Sequence, residues 1–188
     1  EHSLSPQIHT QFAQLTGQHM VYDKRLAPEG NFAPTALDFF AQGGLGCNIT
    51  VPFKLDAELL ADATSERVQL AGACNTLVKR DDGTLFGDNT DGLGLMADIT
   101  QGAGFDIAGQ RVLLIGAGGA GAGVLGPLLA QRPAEVVVAN RSNAKSDALV
   151  NRHKAVAERM GVQLTASGLH DERLLQPFDL VLNASASS

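Results

Sequence analysis

Apolar residues along this chain recur at two different periods, and the way helical and extended spacings alternate is the first thing the sequence offers. In residues 6–16, Ile8, Phe12 and Leu15 fall on one helical face, Pro6 suits an early helical position and Gly17 a stop. Residues 20–26 read as a strand, residues 32–42 as a second helix ended by Gly43-Gly44, and residues 45–51 as a short buried strand. Two helical pieces, residues 55–63 and 66–71, meet at Thr64-Ser65, a candidate cap. Residues 73–79 and 84–87 flank Asp81-Asp82-Gly83, a hairpin turn signal, and residues 91–99 resume a helical period. Strands alternating with helices predict an α/β layer with a mostly parallel sheet.

After Gly102-Ala103-Gly104 the pattern starts afresh. Residues 112–115 are continuously apolar, as a strand buried on both faces should be. A glycine loop follows, then a helix through Val124, Leu128 and Leu129 that ends near Pro133. Residues 136–139 give a strand, residues 146–160 a long helix stopped by Gly161, and residues 162–165 and 179–182 two more strands. This is the order of a Rossmann-type unit, with a boundary to the preceding layer near residue 100.

Composition narrows the function classes. A net charge of -6 argues against nonspecific nucleic-acid binding and suits an enzyme of small anionic metabolites. No apolar run approaches the roughly 18 residues of a spanning helix. Cys47 and Cys74, on apolar segments, read as reduced, buried thiols of a cytoplasmic protein. The opening at Glu1 and the stop in Ser185-Ala186-Ser187-Ser188 read as a chain cut at both ends. Metal is not expected: His2, His9, His19, His153 and His170 lack a ligand spacing. Residues 87–98 lack the acid at the first position and the long bidentate Glu at the last position of a calcium loop.

The candidate chemistry lies in three places. Gly116-Ala117-Gly118-Gly119-Ala120-Gly121 matches the dinucleotide fingerprint, follows a strand and opens a helix. The first glycine permits the turn, the second a close backbone approach to pyrophosphate, and the third tight helix–strand packing. At the end of the next strand stands Asn140-Arg141-Ser142-Asn143-Ala144-Lys145, with no acid before Asp147. A carboxylate there would hold a ribose 2′-hydroxyl, whereas Arg141, helped by Ser142 and Lys145, suits a 2′-phosphate, so NADP is expected over NAD. Finally, Asn48-Ile49-Thr50-Val51-Pro52-Phe53-Lys54 places a lysine after a buried-looking segment, and Asp88-Asn89-Thr90-Asp91-Gly92 supplies a carboxylate. Reducing a ketone by hydride creates an alkoxide, which Lys54 can stabilise and protonate while Asp91 orients it.

With the opening His2-Ser3-Leu4-Ser5-Pro6, these motifs in this order make the chain resemble the shikimate dehydrogenases over nearly its whole length. The resemblance implies a two-domain α/β fold. An α/β substrate-binding and catalytic domain would occupy residues 1–101, without its N-terminal strand, and a Rossmann-type NADP-binding domain residues 102–188, without its C-terminal part. It implies NADPH-dependent, reversible reduction of 3-dehydroshikimate to shikimate in chorismate and aromatic amino acid biosynthesis, by a cytoplasmic monomer or homodimer. Lys54 and Asp91 are then the catalytic pair. Ser3 and Ser5 hold the substrate carboxylate, and Thr50, Asn75 and Asp91 hold ring hydroxyls. Gly116, Ala117, Gly118, Gly119, Ala120 and Gly121 cradle the cofactor, Asn140, Arg141, Ser142 and Lys145 take its 2′-phosphate, and Glu66 lies near it. Asn183-Ala184-Ser185-Ala186-Ser187 departs from the family's common Asn-Ala-Thr-Ser but keeps small hydroxyls that suit the nicotinamide half. A quinate/shikimate dehydrogenase, often NAD-dependent, is the nearest alternative, and Asn140-Arg141-Ser142 counts against it. Lys54 and Asp91 count against a catalytically silent NADP-binding sensor.

Overall fold

The computed structural model describes residues 3–185, so His2 of the opening motif and Ala186 and Ser187 of the last one lie outside the described residues. Helix α1 (Ser5–Thr16) carries Pro6 in its first turn and ends at Gly17, whose φ of 66° is the left-handed conformation that glycine adopts without strain. Helix α2 (Phe32–Ala41) follows, and its inward residues Phe32, Ala36 and Phe40 recur at four-residue spacing. Between the two helices, residues 20–26 form no strand, contrary to expectation. Val21 and Leu26 are 96% and 92% exposed, and no strand among the described residues pairs with this segment, so it has no ladder to join.

The first sheet comprises β1 (Gly46–Asn48), β2 (Ala63–Thr64), β3 (Thr76–Lys79) and β4 (Leu85–Asp88), in the order β1-β3-β4-β2. It is mixed rather than mostly parallel: β1 and β4 both run antiparallel to β3, and only β2 pairs parallel, with β4. The hairpin turn decides this. Asp82 Oδ1 accepts from the Thr84 N–H at 2.9 Å, and Gly83 sits at φ 86°. So short a connection can join only antiparallel neighbours. Helices α3 (Lys54–Leu60) and α4 (Glu66–Ala71) pack on this sheet, and the Ser65 side chain caps α4 by accepting from the Val68 N–H. Phe32, Phe40, Ala57, Val68, Cys74, Leu77 and Leu85 form its core. Cys74 is buried and Cys47 half-buried, both as free thiols.

Helix α5 (Asp91–Ala97) runs on into a π-helical turn at Asp98–Gly102 and leads to the second sheet. That sheet is fully parallel, with β5 (Arg111–Ile115), β6 (Glu135–Asn140), β7 (Gln163–Gly168) and β8 (Leu180–Asn183) in the order β7-β6-β5-β8. Helices α6 (Gly119–Ala130) and α7 (Asn143–Met160) are its crossovers. Helix α6 is apolar on almost every side, with every residue from Gly121 to Leu129 except the half-buried Gly126 buried, because it lies between the second sheet and the helices α4 and α5. One continuous core, from Ala71, Ala73 and Met96 to Leu125, Val136 and Leu182, joins the two layers there. No helix among the described residues is long and apolar enough to cross a membrane.

Candidate active site

Lys54 is the first residue of α3, delivered by a turn in which the Phe53 N–H donates to the Thr50 carbonyl at 3.1 Å. The expected burial of residues 51–53 needs correction. Val51 is 76% exposed and Pro52 is exposed, while Phe53 alone packs inward, stacked on Phe32 with ring centroids 5.3 Å apart. Because β1 ends at Asn48, these residues have no sheet neighbour among the described residues to cover them. The backbone of Lys54 is fixed instead by its carbonyl, which accepts from the Cys74 N–H at 2.8 Å.

The Lys54 ammonium meets Asp91 Oδ2 at 2.5 Å, an ion pair between side chains 17% and 34% exposed. The other carboxylate oxygen, Oδ1, accepts from Asn75 Nδ2 at 2.7 Å. Asn75 is itself buried, and its Oδ1 accepts from the Thr90 N–H at 3.0 Å and from the Thr76 hydroxyl at 2.8 Å. With its oxygen claimed twice, only its nitrogen can face Asp91. A lysine held by one carboxylate keeps two N–H bonds for another partner, and the partial burial strengthens any charge interaction it makes.

The relay extends further than the sequence motifs indicate. Tyr22, the one tyrosine of the chain, donates to Asn48 Oδ1 at 2.8 Å, and Asn48 Nδ2 donates to Thr76 Oγ1 at 3.3 Å. Tyr22, Asn48, Thr76, Asn75 and Asp91 thus form one directed chain of hydrogen bonds that ends on the carboxylate. The Tyr22 ring stacks on His9 at 4.1 Å. Burial pushes its phenol above the usual range, Cys47 adds to the shift, and a hydrogen bond with Ser5 opposes it. Ser3 donates to Ser5 at 3.0 Å, so both serines stand at the head of this network. Thr50 is exposed on the turn before Lys54. Tyr22, Asn48 and Thr76 do not stand out in the sequence because Asn48 and Thr76 meet only across β1 and β3, and Tyr22 reaches Asn48 from the irregular segment before α2. The signals available were a single tyrosine and the Asn48↔Thr76 pairing that the strands impose.

Asp88 lies in the same motif as Asp91 but is fully engaged elsewhere. Arg67 Nη2 grips its two oxygens at 2.9 and 2.7 Å, and the Ser65 hydroxyl donates at 2.6 Å. Burial works to raise its carboxyl, but the hydrogen bonds from Arg67, Ser65 and the Asn89 N–H outweigh it and hold the group below the usual carboxylate range. Glu66 faces Arg159 of α7 at 3.6 Å, in a depression bordered by the later residues of α6, Gly126, Pro127 and Ala130. Ala122, the residue after Gly121, lines the same depression.

That loop has the shape its glycines suggested. Gly116 lies at φ 108°, and a Cβ there would come within 2.8 Å of the Ala184 carbonyl at the end of β8. A Cβ on Gly121 would collide with the Gly116 carbonyl, whereas one on Gly118 would meet nothing within 4 Å. The turn is therefore closed beneath and open above, at the N-terminus of α6, where unpaired N–H groups favour an anion. Asn140 ties this loop to the next: its Oδ1 accepts from the Ala117 N–H at 3.3 Å and its Nδ2 donates to the Ser142 carbonyl at 3.0 Å. Arg141, Ser142 and Lys145 are exposed, and among the described residues neither Arg141 nor Lys145 has an ion-pair partner. Asn183 Oδ1 accepts from the Ser185 hydroxyl at 2.6 Å beside the loop. Ala73 approaches the start of α6, since a Cβ on Gly119 would lie 4.0 Å from its own. Cys74, the next residue, is hydrogen-bonded to Lys54, so the loop and the Lys54–Asp91 pair are neighbours through two residues.

The family model described as shikimate dehydrogenase substrate binding domain matches residues 1–77, and the model described as shikimate/quinate 5-dehydrogenase matches residues 97–188. The chain belongs to the shikimate dehydrogenase family. Among curated relatives, the NADP(+) shikimate dehydrogenase of Acidovorax sp. (strain JS42) is 57% identical over 187 residues, covering 100% of this chain and 65% of the relative. That of Acidovorax ebreus (strain TPSY) is 56% identical over the same coverage. The chain thus spans 65% of the length of these shikimate dehydrogenases. Among solved structures, an Ael1 enzyme from Pseudomonas putida superposes with a TM-score of 0.88 at 44% identity, over 98% of this chain and 65% of that one. A shikimate dehydrogenase in complex with NADP+ gives 0.83 at 28% identity, over 98% and 62%. The two-domain α/β fold of the shikimate dehydrogenase family is the fold of this chain.

Proposed function

We propose that the protein reduces 3-dehydroshikimate to shikimate, reversibly, with NADPH, in aromatic amino acid biosynthesis. Residues 1–101 would serve as the substrate domain and 102–188 as the cofactor domain. The observation that carries the reading is the Lys54–Asp91 ion pair of 2.5 Å, with Asn75 holding the second carboxylate oxygen. Lys54 donates a proton to the ketone oxygen as that oxygen becomes an alkoxide. Asp91 keeps the ammonium aimed and accepts a hydrogen bond from a neighbouring ring hydroxyl. Thr50, exposed on the turn before Lys54, and Asn75, which also fixes the Asp91 carboxylate, would take the other hydroxyls, and Ser3 and Ser5 the substrate carboxylate. Once Lys54 has lost its proton it is recharged from solvent, to which its side chain is 17% exposed.

The residues present fit a dinucleotide. The closed floor and open top of the Gly116–Gly121 turn leave room for a pyrophosphate against Ala117, Gly118, Gly119 and Ala120 at the head of α6. Asn140 shapes this turn from the side, and Arg141, Ser142 and Lys145 stand beyond it for a 2′-phosphate. When bound, the nicotinamide supplies the hydride that the protein's own side chains cannot. Glu66, paired with Arg159, gives no support to a place beside the cofactor. The free thiols fit a cytoplasmic setting. Steady-state kinetics crossing shikimate and quinate with NADP and NAD test the reading. Turnover confined to shikimate with NADP supports it; preference for quinate with NAD, or binding without turnover, would overturn it.

A further inference from the structure

The cavity beside Arg141 has an acid in its wall. It is about 350 Å³ in volume and is lined by Arg141, Asn143, Gly168, Leu169, His170 and Asp171. Asn143 Oδ1 closes over Gly168, where a Cβ would come within 2.7 Å of it. A free carboxylate at Asp171 would work against any anion that Arg141 attracts, and a doubly charged phosphate would feel it twice over.

The acid is not free. Arg173 reaches back two residues along the chain. Its Nε donates to both Asp171 oxygens at 3.1 Å, its Nη2 donates to Oδ2 at 2.7 Å, and its backbone N–H donates to Oδ1 at 2.9 Å. Nη2 also donates to the Ala166 carbonyl of β7 at 3.2 Å, which holds the guanidinium from its other side. Hydrogen bonds from the Arg173 side chain and backbone hold the Asp171 carboxyl at about 2. The acid is therefore ionised at any working pH, and only a cation can cancel its field. Arg173 is not among the residues lining the cavity, and its side chain is 58% exposed. An ion pair so exposed adds little to stability. Its effect falls on what enters the cavity.

We infer that Arg173 is a positioning residue for cofactor choice: by occupying Asp171 it keeps that carboxylate from repelling the 2′-phosphate of NADP and from capturing Arg141. This rests on the reading of Arg141 as the 2′-phosphate ligand. The test is calorimetric binding of NADP and of NAD to the protein and to Arg173→Met, Asp171→Asn, the double variant and Arg141→Ala. Asn at position 171 keeps an acceptor for the Arg173 N–H, so the local turn is retained. Arg173→Met should weaken NADP about threefold to tenfold and NAD less than about twofold, the size expected of one uncancelled charge across such a cavity. Adding Asp171→Asn should return NADP affinity to within about twofold of the parent, as a coupled pair requires. Equal weakening of both cofactors by Arg173→Met, no weakening of NADP, or no recovery in the double variant would overturn the inference. If Arg141→Ala weakens NADP while Arg173→Met does not, only this inference fails. If Arg141→Ala leaves NADP binding unchanged, the reading beneath it fails as well.

Discussion

Gly92 packs directly on the carbonyl of Gly123. A Cβ on Gly92 would collide with that oxygen and would come within 2.7 Å of Pro127 Cγ. The carbonyl is available because Pro127, four residues on in α6, has no N–H to claim it. Asn89, 1% exposed, fills the adjacent space, since a Cβ on Gly123 would lie 3.0 Å from its amide atoms. Asp91 is therefore held between two residues that seat its helix against the helix of the glycine loop.

Gly92→Ala should be destabilising, because neither backbone at this crossing can yield without moving a helix. Overpacking of this kind costs about 1–3 kcal/mol. The urea midpoint should fall with an unchanged slope. Turnover should fall more than cofactor affinity does, since Asp91 moves while the loop keeps its shape. An unchanged midpoint would show that the helices separate freely.

Arg141→Ala should erode the preference for NADP. A hydrogen bond to a charged group is worth enough to raise the NADP Michaelis constant about tenfold to a hundredfold, with NAD kinetics barely moved. Equal weakening for the two cofactors would refute a specific 2′-phosphate contact.

His153 supplies a pH dependence whose sign can be worked out. It is fully buried in α7, its Nδ1 lies 3.0 Å from the Leu149 carbonyl, and its Nε2 has no hydrogen-bond partner among the described residues. Burial pushes its pKa below the ordinary 6.5, the Arg152 charge adds to this, and the Leu149 carbonyl opposes it. The unfolded chain then binds more protons than the folded one as pH falls through 6.5. Its contribution to stability is thus present above that pH and lost progressively below it. His153→Leu should flatten the acid limb of stability between about pH 7 and pH 5. Urea midpoints measured across that range check it, and an unchanged limb would assign the loss to other groups.

How much of this was legible in the sequence depends on how local each cause is. The second sheet declared itself, because Val112 to Leu114 and Val136 to Ala139 are buried on both faces and so are continuously apolar. The glycine loop was legible for the same reason, since its conformational demands fall on the glycines themselves. Residues 20–26 misled because β-propensity says nothing about whether a partner strand stands alongside. The direction of β3 and β4 was implicit in Asp82-Gly83, but the alternation of helices and strands pointed to a parallel sheet. At the site, Lys54 and Asp91 were legible as residues and the structure brings them together. The Tyr22–Asn48–Thr76 chain was not, because its Asn48–Thr76 step depends on the register of β1 against β3 and Tyr22 reaches Asn48 from outside the sheet. Neither was the engagement of Asp171 by Arg173, which needs the backbone path after β7.

In the proposed reaction Lys54 acts on charge that develops only near the transition state. Lys54→Ala should therefore slow turnover far more than it weakens substrate binding, by about 10²–10⁴-fold. Asp91→Ala should be slow and also bind substrate less well, and the double variant should be little slower than the worse single one. The direct measurement is pre-steady-state hydride transfer in the parent, the two single variants and the double variant. The transfer step should be slowed by orders of magnitude in Lys54→Ala at saturating substrate. Near-normal transfer with only a raised Michaelis constant would make Lys54 a binding residue and contradict the mechanism.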